Sequence, residues 1–545
     1  MMSTNQYRII RGMLWSITRR HAHLVALVLT LLLALPFLAR SAGASAQAAA
    51  FVPTNDRWAT IDAYVEQERQ AARVPGVALG IVQGDRVVHL QGFGVADPSG
   101  RAVTPQTPFY IGSAAKSMTA MAIMQLVEQG KLDLDAPVQR YLPWFTLADP
   151  AAAAQITVRH LLTHTSGLSR VIGLDVATNR NDLQDGGLER QVRAWHDAEA
   201  AAPAGTTFRY NNANYVILGL LVETLSGQSF ESYLQQHIFV PLEMEDTTVG
   251  PSLGAAQPVA VGYRYWFGVP RAAHRNYGRL INPAGGVIAS AEEMTHYLIA
   301  QLNAGRYRDA QILAPSGIAE LHRPQVPVPA DASQGQADEE VAYGLGWWTK
   351  TRSGMPVVAH PGDLPTYHAD MQLLPEEQIG IVLLMNANDR LTGERMRAMI
   401  DGVTSLMLGR QPAPVETGGG VAVLIFRIVL MLALLQLGLI GWSLRTLRRW
   451  SREPVRRPHG RLRLLWQVVL PLGFHLLLAL LFLVGLPTLF NLPLSLLMES
   501  MPDLGTLAVG SGGIAIAWAV VKTVLTLHIL QARDASPVGD VTVAA

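Results

Sequence analysis

The 545-residue chain contains no cysteine. Disulfides, thiolate metal sites and cysteine nucleophiles are therefore excluded, and with them the usual mark of an oxidising compartment. Lysine is scarce: the only four are Lys116, Lys131, Lys350 and Lys522. The arginines sit beside apolar runs rather than among exposed aromatics, which argues against a nucleic-acid partner. Two common catalytic signatures are also missing. His160 and His164 are four apart, but Leu161 stands where a zinc-protease helix needs glutamate. With Thr157 as N-cap, the two histidines are expected to tie a short helix to its exit loop, and no metal is expected there. Neither Ser113 nor Ser166 lies in the G-x-S-x-G turn of an α/β-hydrolase.

Of the four lysines, only Lys116 has a serine three residues before it. Gly112 predicts a turn, and the apolar period of Met118, Met121, Ile123, Met124, Leu126 and Val127 predicts a helix stopping at Gly130. Ser113 and Lys116 then face the same way. A serine hydroxyl is a poor nucleophile until a neighbour takes its proton, and an ammonium can do so only after losing its own. Burial and the positive end of the helix dipole both push Lys116 toward the neutral amine.

Two further segments can present chemistry to a cleft. Tyr210 and Asn212 lie on a loop just ahead of a helix running from about Asn212 to Gly227, where a phenol and an amide could share protons with the Ser–Lys pair. His360-Pro361-Gly362-Asp363 follows a strand-like Met355–Ala359 and precedes strands at Met371–Leu374 and Ile379–Leu384. Glycine at 362 lets backbone approach closely, and the N–H just after it could hold an oxyanion. Elsewhere, a helix is expected near Trp58–Arg73, a hairpin across Val77–Val82 and Val87–Leu90, and a helix N-cap at Ser290.

Taken in order, S-x-x-K, Y-x-N and the glycine-containing strand motif resemble the serine penicillin-recognising superfamily, in its class C β-lactamase, D-alanyl-D-alanine peptidase and esterase branch. The resemblance spans about Arg57 to Gly409 and includes Val74-Pro75-Gly76, Leu161–Gly167, Pro283–Gly286 and Tyr343–Trp347. It implies an α+β fold, with an antiparallel sheet flanked by helices plus a helical subdomain. It also implies an acyl-enzyme on Ser113 with Lys116 as proton partner, Tyr210 as base for Ser113 and the deacylating water, and Asn212 touching the substrate amide. The backbone N–H groups of Ser113 and Asp363 would form the oxyanion hole, and no cofactor is implied. Which of Lys116 and Tyr210 takes the proton stays open, because coupled groups titrate together.

One departure bears on substrate. Where β-lactamases commonly carry K-T-G, this chain has His360-Pro361-Gly362. A mostly neutral histidine and a proline without N–H weaken recognition of a substrate carboxylate. An ester, amide or peptide substrate is thereby favoured over efficient β-lactam turnover. The alternative is a penicillin-binding-type sensor that is acylated, or binds cell-wall fragments, without efficient turnover.

The ends of the chain carry the apolar residues. Residues 1–48 run basic, apolar, then small, the order of a secretory signal or an uncleaved anchor. Residues 51–410 form the expected hydrolase domain and 411–420 a linker. Three apolar runs follow within 421–531, at Val421–Trp442, Leu464–Phe490 and Leu507–Leu530, each long enough to cross a bilayer. Between the first two lie Arg445, Arg448, Arg449, Arg452, Arg456, Arg457, Arg461 and Arg463 against Glu453 alone. The positive-inside rule places that loop and the 532–545 tail in the cytoplasm and the hydrolase domain outside. Arg427 and Lys522 are expected to reach an interface by snorkelling.

Overall fold

A computed structural model describes residues 56–531, apart from 170–171, 174–175, 177–186, 251–256, 275–276, 330–339, 353, 389–392, 416–420, 454–460 and 491. The signal or anchor at 1–48, the tail at 532–545 and half of the expected linker lie outside those residues. The chain divides at Thr60, and the larger of its two units begins at Ile61.

At the centre of the larger unit is a nine-stranded antiparallel sheet. The strands are β1 (Gly76–Gln83), β2 (Arg86–Gly94), β3 (Val326–Pro327), β4 (Val341–Tyr343), β5 (Trp348–Arg352), β6 (Met355–Ala359), β7 (Gly362–Leu364), β8 (Tyr367–Leu374) and β9 (Ile379–Met385). They lie in the order β3-β4-β5-β6-β8-β9-β1-β2, with β7 added beside β8. Both β8 and β9 are buried at every position, because helices cover the two faces of the sheet. That is why β9 reads as an unbroken apolar run rather than an alternation. Register ties the first strand to the last, with Val77 opposite Met385 and Gln83 opposite Ile379.

Helix α1 (Arg57–Ala71) and the terminal α5 (Glu394–Met407) meet through an Arg395–Glu68 ion pair. On the sheet also lies α4 (Ala291–Leu302), so close to β1 that a side chain at Gly80 would meet Thr295 and the Ala291 carbonyl. Beyond α4 stands the helical layer built on α2 (Ala115–Glu128) and α3 (Asn212–Ser226). The α2 helix is buried on all sides from Ala115 to Leu126, rather than showing the one-sided stripe its periodicity predicts. Its buried side-chain donors find carbonyl partners: Ser117 donates to the Ala114 carbonyl, Thr119 to Pro283 and the Gln125 amide to His237 and Ile312. The predicted N-caps at Thr157 and Ser290 are present.

Among the described residues, three helices are long and apolar enough to cross a membrane. The first runs Val421–Arg452, ten residues beyond the predicted Trp442, so the arginines from 445 to 452 ride its last turns. The second, 461–490, contains two wider turns at Leu465–Val469 and Leu481–Gly485. The third is Pro502–Gln531. Val429, Phe482, Leu486, Leu504 and Ala508 form their shared core. Lys522 departs from the snorkelling expectation: it is 3% exposed, enclosed by the bundle, and its Nζ has no hydrogen-bond partner among the described residues.

Candidate active site

The site sits where the sheet meets the helical layer. Gly112 adopts φ 54, a left-handed value that a β-carbon disfavours, and turns the chain into the single helical turn Gly112–Ala114 that leads into α2. Ser113 follows, half-buried and open to the cleft. One helical turn on, the fully buried Lys116 places its Nζ 3.0 Å from Ser113 Oγ, 2.8 Å from Asn212 Oδ1 and 2.7 Å from the Ala284 carbonyl. Burial holds the amine well below the ordinary lysine value. Asn212 Oδ1 and the Ala284 oxygen can only accept. A neutral amine therefore gives them its two hydrogens and turns its lone pair on the Ser113 hydroxyl.

Tyr210 completes this group. Its ring lies 4.9 Å from Lys116 Nζ, and burial of the hydroxyl raises the phenol, opposed by a hydrogen bond with Ser113. The residue as a whole is 38% exposed. The loop that aims it is held from both sides. Asn211 caps α3 by accepting from the Ala213 N–H, and its amide donates to the Leu168 and Ser169 carbonyls. His164, at φ 57, accepts the Asn211 N–H on Nδ1 at 3.1 Å and lies under Tyr210 with ring centroids 4.3 Å apart. Burial holds His164 well below the usual histidine value, so it supports the tyrosine as a neutral ring. His160 is structural but at the other end of its helix from the one expected: its Nδ1 accepts the Thr157 N–H at the helix start, while His164 holds the Asn211 loop.

The third wall is the 360–363 turn. A β-carbon at Gly362 would lie 1.8 Å from the Ile111 carbonyl oxygen, so only glycine lets this backbone pass. The Gly362–Asp363 peptide thereby touches the Gly112–Ser113 turn, bringing the Ser113 and Asp363 backbone nitrogens to one end of the cleft. The Asp363 side chain turns elsewhere, accepting from Asn388 Nδ2 at 2.8 Å and bonding His368 Nδ1 at 2.9 Å. His368 Nε2 lies 2.9 Å from Asp370. Burial opposes charge on this imidazole, but Asp370 and Asp363 on either side outweigh it and raise His368 to about 10.

Ser113, Lys116, Tyr210 and Asn212 are thus gathered in one group, with the Gly362–Asp363 backbone beside it. His360 stands behind that backbone, 1% exposed, with Nε2 bonded to the Tyr343 hydroxyl at 3.0 Å and Nδ1 to the Pro361 carbonyl at 2.8 Å. Burial lowers its pKa to about 3, so it is neutral, and both ring nitrogens are engaged. The sequence assigns no individual role to Tyr343, His368 or Asn388. Each acts through a contact across the sheet that leaves no local pattern.

The fold and this cluster define a class: a β-lactamase and transpeptidase-like α+β domain with a Ser–Lys–Tyr cleft. The Beta-lactamase family model matches residues 61–404, and the chain belongs to that family. The chain is 28% identical over 338 residues to Protein flp of Staphylococcus aureus (strain MW2), covering 62% of this chain and 64% of that protein. It is 32% identical over 323 residues to Penicillin-binding protein 4 of Amycolatopsis lactamdurans, covering 58% of this chain and 82% of that protein. Among solved structures it matches the octameric penicillin-binding protein homologue from Pyrococcus abyssi at TM-score 0.57 and 28% identity. That match covers 66% of this chain and 78% of the other.

Proposed function

We propose that the chain is a membrane-anchored serine hydrolase, with its catalytic domain outside the cytoplasm, that cleaves an ester or amide through an acyl-enzyme on Ser113. The observation that carries this reading is the hydrogen-bond set of Lys116: with Asn212 Oδ1 and the Ala284 oxygen each taking a hydrogen, a neutral amine keeps its lone pair for the Ser113 hydroxyl 3.0 Å away. Lys116 and Tyr210 together accept the serine proton as Oγ attacks the substrate carbonyl. The developing oxyanion is held by the Ser113 and Asp363 N–H groups. Tyr210, bonded to Ser113 and 38% exposed, then activates the deacylating water.

Substrate class follows from what the cleft offers a carboxylate. Neutral His360 has no free nitrogen and Pro361 no N–H, so a substrate carboxylate gains little there, and β-lactam turnover is weak at most. The test is the full chain in detergent with a short-chain p-nitrophenyl ester and a D-alanyl-D-alanine peptide, beside Ser113→Ala, with fluorescent penicillin as competitor. Turnover of either substrate that vanishes in Ser113→Ala supports the hydrolase. A stoichiometric burst without turnover moves the reading to an acylated sensor, and absence of any acylation refutes both.

A further inference from the structure

Strands Tyr263–Trp266 and Val269–Ala272 form a hairpin outside the main sheet. Its two-residue turn, Phe267-Gly268, has φ 50 and 73. That geometry favours asparagine or glycine at the first position and is strained for a bulky aromatic. The tip is nonetheless apolar and solvent-facing: Trp266 is 37% exposed, Phe267 47% and Val269 41%. Arginines surround it. Arg264 and Arg271 are paired across the strands, and Arg73 donates to the Gly268 carbonyl at 3.0 Å.

The direction of the tip is set by the membrane helices. Phe267 packs edge-on against Phe426 of the first span, ring centroids 6.0 Å apart. Phe267 and Gly268 also share a cavity with Val423, Met501 and Pro502, at the starts of the first and third spans. This is the end of the bundle opposite Arg445–Arg452. Phe426 is three residues inside the apolar stretch that begins at Val423, or roughly 5 Å along the helix axis. A ring at that level lies at the boundary of headgroups and acyl chains, where aromatics are favoured and arginines reach phosphates.

We propose that the 263–272 hairpin is an interfacial anchor: Trp266, Phe267 and Val269 enter the leaflet on the hydrolase side, and Arg73, Arg264 and Arg271 bind its lipid phosphates. This rests on reading the three apolar helices as membrane spans. It holds the catalytic domain against the bilayer at a second point beyond the covalent linker, which fixes the orientation of the cleft.

Because the chain has no native cysteine, single-cysteine labelling has no background. The full chain carrying Val269→Cys, Val240→Cys or Leu434→Cys is labelled with an environment-sensitive fluorophore. It is then reconstituted in phosphatidylglycerol–phosphatidylcholine vesicles and probed with lipids bearing a shallow or deep doxyl quencher and with aqueous iodide. Ester hydrolysis serves as the folding check. Label at 269 is expected to be quenched by shallow doxyl lipid about threefold more than label at 240, and shielded from iodide. Adding Trp266→Ser and Phe267→Ser to Val269→Cys should abolish that difference. Iodide quenching at 269 equal to that at 240 overturns the proposal. So does quenching that rises with protein density, which would mark contact between copies. Leu434→Cys reports separately: if deep doxyl lipid does not quench it, the reading of the spans fails, not the hairpin's role alone.

Discussion

Replacing Gly362 by alanine puts a methyl carbon 1.8 Å from the Ile111 carbonyl oxygen, with the Ser113 nitrogen 3.1 Å away. To restore an ordinary contact, the 360–363 turn and the 111–113 turn must part by roughly 1.5 Å. An N–H···O bond near 2.9 Å is lost over such a displacement. The Asp363 N–H would then no longer reach an oxyanion held by the Ser113 N–H. Loss of one such donor costs about 100- to 1,000-fold, or about 2.7–4 kcal/mol of transition-state stabilisation. The assay is single-turnover acylation by a p-nitrophenyl ester, normalised to folded protein. Gly380→Ala is the control: its methyl would lie 2.7 Å from Val82 in the sheet, away from the cleft, so it should lower stability and leave the normalised rate unchanged. A Gly362→Ala rate within about threefold of wild type would refute the oxyanion assignment of Asp363.

Lys116→Met, close to isosteric, should cut acylation by about 100- to 10,000-fold while substrate binding holds, and an unchanged burst rate would contradict its role. The rate of acylation should rise with pH as Lys116 loses its proton, along a limb well below the ordinary lysine value because burial disfavours the ammonium. A limb near the ordinary value would place the amine in solvent. His368 is raised to about 10, so its contribution to stability is complete below pH 6.5 and declines as pH rises through about 10. Urea midpoints should fall over that window in wild type and less so in His368→Gln; parallel curves would refute the charged assignment. Tyr343→Phe leaves His360 Nε2 without its partner in a buried site and should cost about 1–3 kcal/mol by urea denaturation. An unchanged midpoint would show that water replaces the phenol.

Much of the site was legible in sequence because each part of it is built on a local rule. Gly112 and the apolar period announced the turn and α2, so Ser113 and Lys116 could be placed on one face three residues apart. Asn212 and Gly227 marked the ends of α3, and Gly362 marked a backbone contact. The spans and their flanking arginines followed from hydropathy and charge, although the first helix runs ten residues further and its last turns carry the arginines.

The tertiary structure decided what depends on partners remote in sequence. Lys116 is lowered by burial and its amine is oriented by acceptors at positions 212 and 284, and a lysine's charge state follows its surroundings rather than its neighbours along the chain. His360 could be read as a variant of a binding residue. Only the fold shows both of its nitrogens occupied by Tyr343 and Pro361. Lys522, near the end of an apolar run, looked able to snorkel, but packing of the three spans encloses it. The His368 bridge between Asp363 and Asp370 arises because β7 folds back on β8, a pairing of strands that periodicity cannot register. Local spacing thus determined which residues could act together on one element. Burial and strand pairing, which are properties of the whole fold, determined their charge, their partners and the cleft between them.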